Sequence, residues 1–134
     1  MAKGYDIHQQ RKMTLSKFGK DLVRRAKSKC ELSQADHESL VIYEVEPVPA
    51  EPDISHCLMV SNEVVEQLTN IKQLDADKWR HLNELIWSEI PAVQVMAYRI
   101  LSHISKNHVW AQQILDEAFL DEEIIEWGDK APLS

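Results

Sequence analysis

Residues 28–45, SKCELSQADHESLVIYEV, decide how this chain is read. The stretch leaves a lysine-rich segment and ends in LVIYEV, a run of β-branched and aromatic residues that favours a strand. Between the two stands Cys30-Glu31-Leu32-Ser33. A zinc knuckle would read C-x-x-C at this place, and its second cysteine position here holds serine. A helix before this stretch and a small β module after it are the first expectations.

Upstream, Leu15, Phe18, Leu22 and Ala26 recur at spacings of three and four. That pattern predicts one apolar stripe on a helix over residues 7–29. Lys17, Lys20, Arg24 and Lys27 fall on the opposite side, and Gly19 costs such a helix about 1 kcal/mol against alanine. The formal net charge of −7 hides a segregation. Residues 1–29 carry nine Lys/Arg against Asp6 and Asp21, a net +7, whereas the remaining chain carries six basic and twenty acidic residues, a net −14. A basic head on an acidic body invites either internal docking or an anionic partner.

Downstream, residues 40–45 predict a short strand, punctuated by Pro47, Pro49 and Pro52, which cannot donate to a ladder. Cys57-Leu58-Met59-Val60 predicts a second strand able to pair with the first. Residues 61–68 predict a helical turn or two capped by Ser61. The second half reads as helices over 75–90, from Pro91 to about Asn107, and over 109–127 with Gly128 and Pro132 as stops. The expected fold class is therefore α+β and mostly helical. One domain spans 1–134, with a basic helix (1–29), a small β module (30–70) and a helical part (71–134).

At 134 residues the chain can bury a core without disulfides or metal. Two cysteines make no disulfide scaffold. The polar N-terminus offers no signal-peptide core, and the apolar runs are too short to span a bilayer, so a cytoplasmic protein without membrane association is expected.

The strings GKDLVRRAKSKCEL (19–32), IYEVEPVPAEPD (42–53), HCLMV (56–60) and NELIWSEIPAVQVMAYRIL (83–101) resemble the PhnA-like family, bacterial proteins named after an alkylphosphonate-utilisation operon. The resemblance covers nearly the full length. It implies a small zinc-ribbon module whose four thiolates would fall at Cys30, Ser33, Ser61 and Val64. One thiolate of the four remains. Zinc is thus the cofactor expected in the family and expected to be lost here, since a serine hydroxyl does not ionise near neutral pH and valine offers no donor. The module is then expected to keep its shape through Leu40, Ile42, Leu58 and Val60. His37, His56 and Cys57 are ligand types, but with Cys30 they match no ligand spacing, and His37 reads as a loop residue and Cys57 as a small buried hydrophobe. The layout is also similar to that of HNH-type nucleases. These need an imidazole base near the strand end, where this chain offers Tyr43 and Glu44, so no nuclease activity is expected.

Lys17, Lys20, Arg24, Arg25 and Lys27 are the candidate residues for binding an anion or nucleic acid. No aromatic residue interleaves them as a single-strand binder would want, since Phe18 falls on the apolar side. The structural reading, which stands ahead of it because a charge run is usually solvated and the acidic body would repel DNA, is a solvated face or one paired with the seven acidic residues from Asp116 to Asp129. Trp79, Trp87, Trp110 and Trp127 read as core, with Trp87 marking a partner surface if it leaves its helix's stripe. Glu84 and Glu89 form no catalytic pair, and His81, His103 and His108 lack a placed nucleophile. The expectation is a non-catalytic binding or adaptor protein, whose partner is a protein or a nucleic acid. The alternative implied by the family name is an accessory protein or enzyme of alkylphosphonate metabolism.

Overall fold

The computed structural model describes residues 2–36 and 39–133. Its order is α1 (Ala2–Ala26), β1 (Leu40–Glu44), β2 (Cys57–Ser61), α2 (Asn62–Thr69), α3 (Leu82–Leu85), α4 (Pro91–Ile104), α5 (Val109–Ala118) and α6 (Glu122–Asp129). This is the mostly helical α+β architecture the periodicities predict.

The two strands pair antiparallel, with Leu40 opposite Ser61, Ile42 opposite Met59 and Glu44 opposite Cys57. A two-stranded ribbon is marginal in water and needs cover. Here β2 is covered on both faces, and all five of its residues are buried. Alternation along the strand sends Leu58 and Val60 into the main core, with Val45, Leu82, Met96 and Ile100. It sends Cys57 and Met59 the other way, onto Leu22 and the half-buried Leu15, Phe18 and Ala26 of α1. The ribbon is therefore the middle layer between α1 and the helical body. Of the residues expected to hold the module, Leu58 and Val60 face the body, Ile42 faces α1, and Leu40 touches both.

Three expected boundaries shift. α1 begins at Ala2 and stops at Ala26, not at residue 29, because Lys27 and Ser28 are both left-handed (φ 57° and 61°). The Ser28 amide reaches back to the Val23 carbonyl (3.0 Å), closing the helix end and turning the chain toward the ribbon. The helix expected over 75–90 breaks into a 3-10 turn (Ala76–Trp79), the short α3 and a bend. Pro91 disfavours a helical Ile90, which is extended at φ −93° and ψ 110°, so the helix must end before it. Trp79, Leu82 and Ile86 are buried all the same, because their spacing still fits the successive turns.

The stretch 109–127 is likewise two helices, α5 and α6, separated at Phe119, which is left-handed and 87% exposed. Gly128 is not a stop but a contact point inside α6. A Cβ there would lie 2.3 Å from Cδ2 of Tyr98 on α4. The Tyr98 ring cannot easily yield, because its hydroxyl donates to Asp129 (2.7 Å). Arg99 completes the α4–α6 junction. Its buried guanidinium donates to the Gly128 carbonyl (3.0 Å), the Trp127 carbonyl (2.9 Å) and the Glu46 carbonyl. Gly128→Ala should therefore destabilise the fold by about 1–3 kcal/mol, the usual cost of overpacking, read as a lower urea midpoint with an unchanged slope.

Candidate functional site

The four knuckle positions, whose two pairs lie 28 residues apart in sequence, are brought together. A tight turn carries the first pair: the Gln34 amide donates to the Cys30 carbonyl (2.8 Å) and the Cys30 amide to the Ala35 carbonyl (2.9 Å), with Gln34 left-handed. The second pair sits where β2 becomes α2. Cys30 Sγ joins them, accepting the amides of Ser33 and Ser61, each at 3.3 Å. Ser61 Oγ caps α2 by accepting the Val64 amide (3.3 Å), and Ser33 Oγ accepts the Ala35 amide (3.3 Å). Ser33 and Val64 line one cavity of about 150 Å³ with Gln67, Lys78 and Trp79.

This donor set does not fit zinc. A structural site needs four ligands, with cysteine as thiolate. Here the sole thiol is buried and takes two backbone amides, both hydroxyls are engaged with the backbone, and the fourth position is an apolar side chain in the core. Among the described residues, no three His, Cys, Asp or Glu side chains are gathered as a metal would require. His37 lies outside the described residues.

The other ligand types serve the fold. His56 packs its ring on Trp127, with centroids 4.5 Å apart. Cys57 Sγ donates to the Asp53 carbonyl (3.4 Å). Burial, aided by Glu44 and Asp53, pushes the Cys57 thiol up to about 11. Glu44, at the place where a nuclease would keep its histidine, holds Arg11 with both carboxylate oxygens (2.5 and 3.1 Å).

Two residues that bind the knuckle escape the sequence reading. Glu31 is buried; its amide donates to the Met59 carbonyl (2.8 Å) and its Oε1 accepts the Met59 amide (2.9 Å). Its carboxylate takes both arms of Arg25 (2.7 and 2.9 Å), and Arg25 also donates to the Cys57 carbonyl (2.9 Å). His81 Nε2 donates to the Leu32 carbonyl (2.6 Å) while its ring stacks on Trp79. Glu31 announces itself only as a charge between two apolar residues, Cys30 and Leu32. His81 has no local signal, since its partner lies 49 residues away.

The candidate anion-binding residues divide. Lys17, Lys20 and Arg24 are exposed on α1, and Lys27 is exposed just past its end. Arg25 is committed to Glu31, because one further residue rotates about 100° around the helix and turns it toward the ribbon. Trp87 is 59% exposed in the bend between α3 and α4. Its neighbours Leu85 and Ser88 share a notch of about 160 Å³ with Arg25, Ala26 and Lys27. No helix among the described residues is long and apolar enough to cross a membrane. Comparison with protein-family models, curated proteins and solved structures returned no match.

Two outcomes are expected. The thermal midpoint should be unchanged by a strong zinc chelator, whereas S33C/S61C/V64C should bind about one zinc per chain and become chelator-sensitive. A chelator-induced fall in the original chain would overturn the metal-free reading. Separately, a thiol that the fold keeps protonated stabilises fully below the ordinary cysteine range, about 8.5. That contribution is lost as pH rises toward about 11. The urea midpoint should fall across this window, and less steeply in Cys57→Ala; the raised Tyr43 and Tyr98 hydroxyls act in the same direction and remain in the variant.

Proposed function

We propose that this chain is a non-catalytic binding protein, a PhnA-like relative with a metal-free zinc-ribbon module, that meets a polyanionic partner through the outward face of α1. The observation that carries this reading is the division of the helix's cations. Arg11 and Arg25 turn inward and are matched by Glu44 and Glu31. Lys17, Lys20, Arg24 and Lys27 turn outward, and among the described residues none of them forms an ion pair.

From Lys17 to Arg24 the helix rises about 10 Å, so the face can meet a few adjacent charges of a polymer. The knuckle supports a structural role for the module: its thiol and both hydroxyls are engaged in internal hydrogen bonds. The acidic remainder of the chain sets a limit, because it repels a wide polyanion and leaves only the α1 side favourable.

Binding should be electrostatic and salt-dependent. Titration of labelled heparin at low ionic strength should show saturable binding that weakens steeply with salt. K17E/K20E/R24E should abolish it while the circular dichroism spectrum and thermal midpoint stay close to the original, since these side chains are exposed. Absence of heparin binding at low salt would reject the reading.

A further inference from the structure

We propose that the free edge of β1 takes an extended peptide as a third strand, uncharged and rich in β-branched residues. The proposal is independent of the polyanion reading and rests on other residues.

The register fixes which backbone groups point out of the ribbon. In an antiparallel pair, alternate residues exchange hydrogen bonds across the pair, and the residues between them turn both backbone groups away. The Val45 amide donates to the His56 carbonyl (2.8 Å), which continues the register of the strands and sets the phase. Val41 and Tyr43 therefore bond to Val60 and Leu58. Leu40, Ile42 and Glu44 on β1, and Cys57, Met59 and Ser61 on β2, point outward.

The β2 edge is closed. The Cys57 amide donates to the Ile54 carbonyl, and its carbonyl accepts Arg25 (2.9 Å). Met59 exchanges two hydrogen bonds with Glu31, and the Ser61 amide donates to Cys30 Sγ (3.3 Å). The β1 edge is open. Among the described residues, nothing meets the outward amides and carbonyls of Ile42 and Glu44. Burial follows the same division: every residue of β2 is buried, none of β1 is, and Val41 is 37% exposed.

Unpaired edges are ordinarily blunted by proline, lysine, a bulge or an inward charge. The strand Leu40–Glu44 is regular and holds neither proline nor lysine. Its single charge, Glu44, is taken by Arg11. A row of unmet donors and acceptors at strand spacing is complemented by another extended backbone.

Size selects the occupant. Five residues of strand extend about 17 Å. A ladder that short buries much less than the roughly 1,200 Å² that a stable pair of folded proteins needs. It suits one peptide strand rather than a second folded copy. Tyr43 faces the main core and Ile42 faces α1, so β-branched residues in the peptide make favourable cross-strand pairs on both sides.

The test uses the full chain and a labelled, end-capped heptapeptide of alternating Thr and Val. An uncharged probe draws nothing from the basic helix or the acidic body, so its binding reports the edge. It should bind saturably, and the same peptide N-methylated at every interior amide should not. Saturating peptide should slow hydrogen exchange at the Ile42 and Glu44 amides about tenfold and leave Val41 and Tyr43, already bonded in the ribbon, nearly unchanged. Ile42→Pro should weaken the peptide about tenfold, because proline there removes an outward N–H and spares the β1–β2 ladder. K17E/K20E/R24E should leave peptide binding unchanged. Absence of binding, or binding without protection of Ile42 and Glu44, would overturn this inference and leave the α1 reading standing. Dimerisation that Ile42→Pro abolishes, with no peptide binding, would overturn it in favour of a second copy on the same edge.

Discussion

Cys30 and Glu31 bind the strand that everything else covers. One residue gives its sulfur to the Ser61 amide and the next exchanges two hydrogen bonds with Met59, so the segment after α1 is laced to β2 over successive residues. The Arg25–Glu31 pair then clamps the last turn of α1 to the same strand. A buried carboxylate is costly unless it is paired and hydrogen-bonded, and Glu31 is both. With this junction made, α1 can lie on one face of the ribbon while the helical body takes the other.

Magnitudes decide what stands where the resemblance would place a metal. Structural zinc supplies about 10–16 kcal/mol of apparent binding energy in small peptides. Two hydrogen bonds to the Cys30 sulfur and one serine cap, each contributing about 1 kcal/mol net, do not match that. Burial can. Cys30, Leu32, Val60, Val64 and Trp79 belong to one continuous core with α4, and full burial of each large side chain contributes about 1.5–3 kcal/mol. A free-standing zinc ribbon cannot bury its residues in this way. The knuckle's polar atoms thus specify the turn geometry, while the shared apolar core stabilises it.

Much of this was legible in the sequence because it is written in local periodicity. The α1 stripe, the two strands, the Ser61 cap and the Pro91 helix start all follow from neighbours a few residues apart. The misplaced boundaries have long-range causes. α1 stops early because the chain must turn toward β2, and the stretch expected as one helix over 75–90 splits at Arg80–His81 and ends at Leu85, ahead of the extended Ile90 that Pro91 favours. The site was legible only in part. Cys30, Ser33, Ser61 and Val64 do converge, but the partners that hold them, Glu31 to Met59 and His81 to Leu32, are tertiary. Arg99 was hidden for the same reason: in the apolar run of α4 it is a lone charge, and the carbonyls that satisfy it lie about 28 and 53 residues away.

The same two constraints that set the fold also sort the surface. A rotation of one residue separates Arg24 from Arg25, so the requirement that Arg25 reach Glu31 fixes Arg24, and with it Lys17 and Lys20, facing outward. The break before Pro91 leaves Trp87 in a bend, outside the helical stripe that buries its neighbour Ile86. Neither placement requires a selection for binding to explain its backbone. What packing does not explain is the chemistry: a lysine at an exposed α1 position, or a tryptophan in that bend, adds nothing to the core that a small polar residue would remove. The exposed cations of α1 and the exposed indole of Trp87 are therefore surface chemistry that packing does not require.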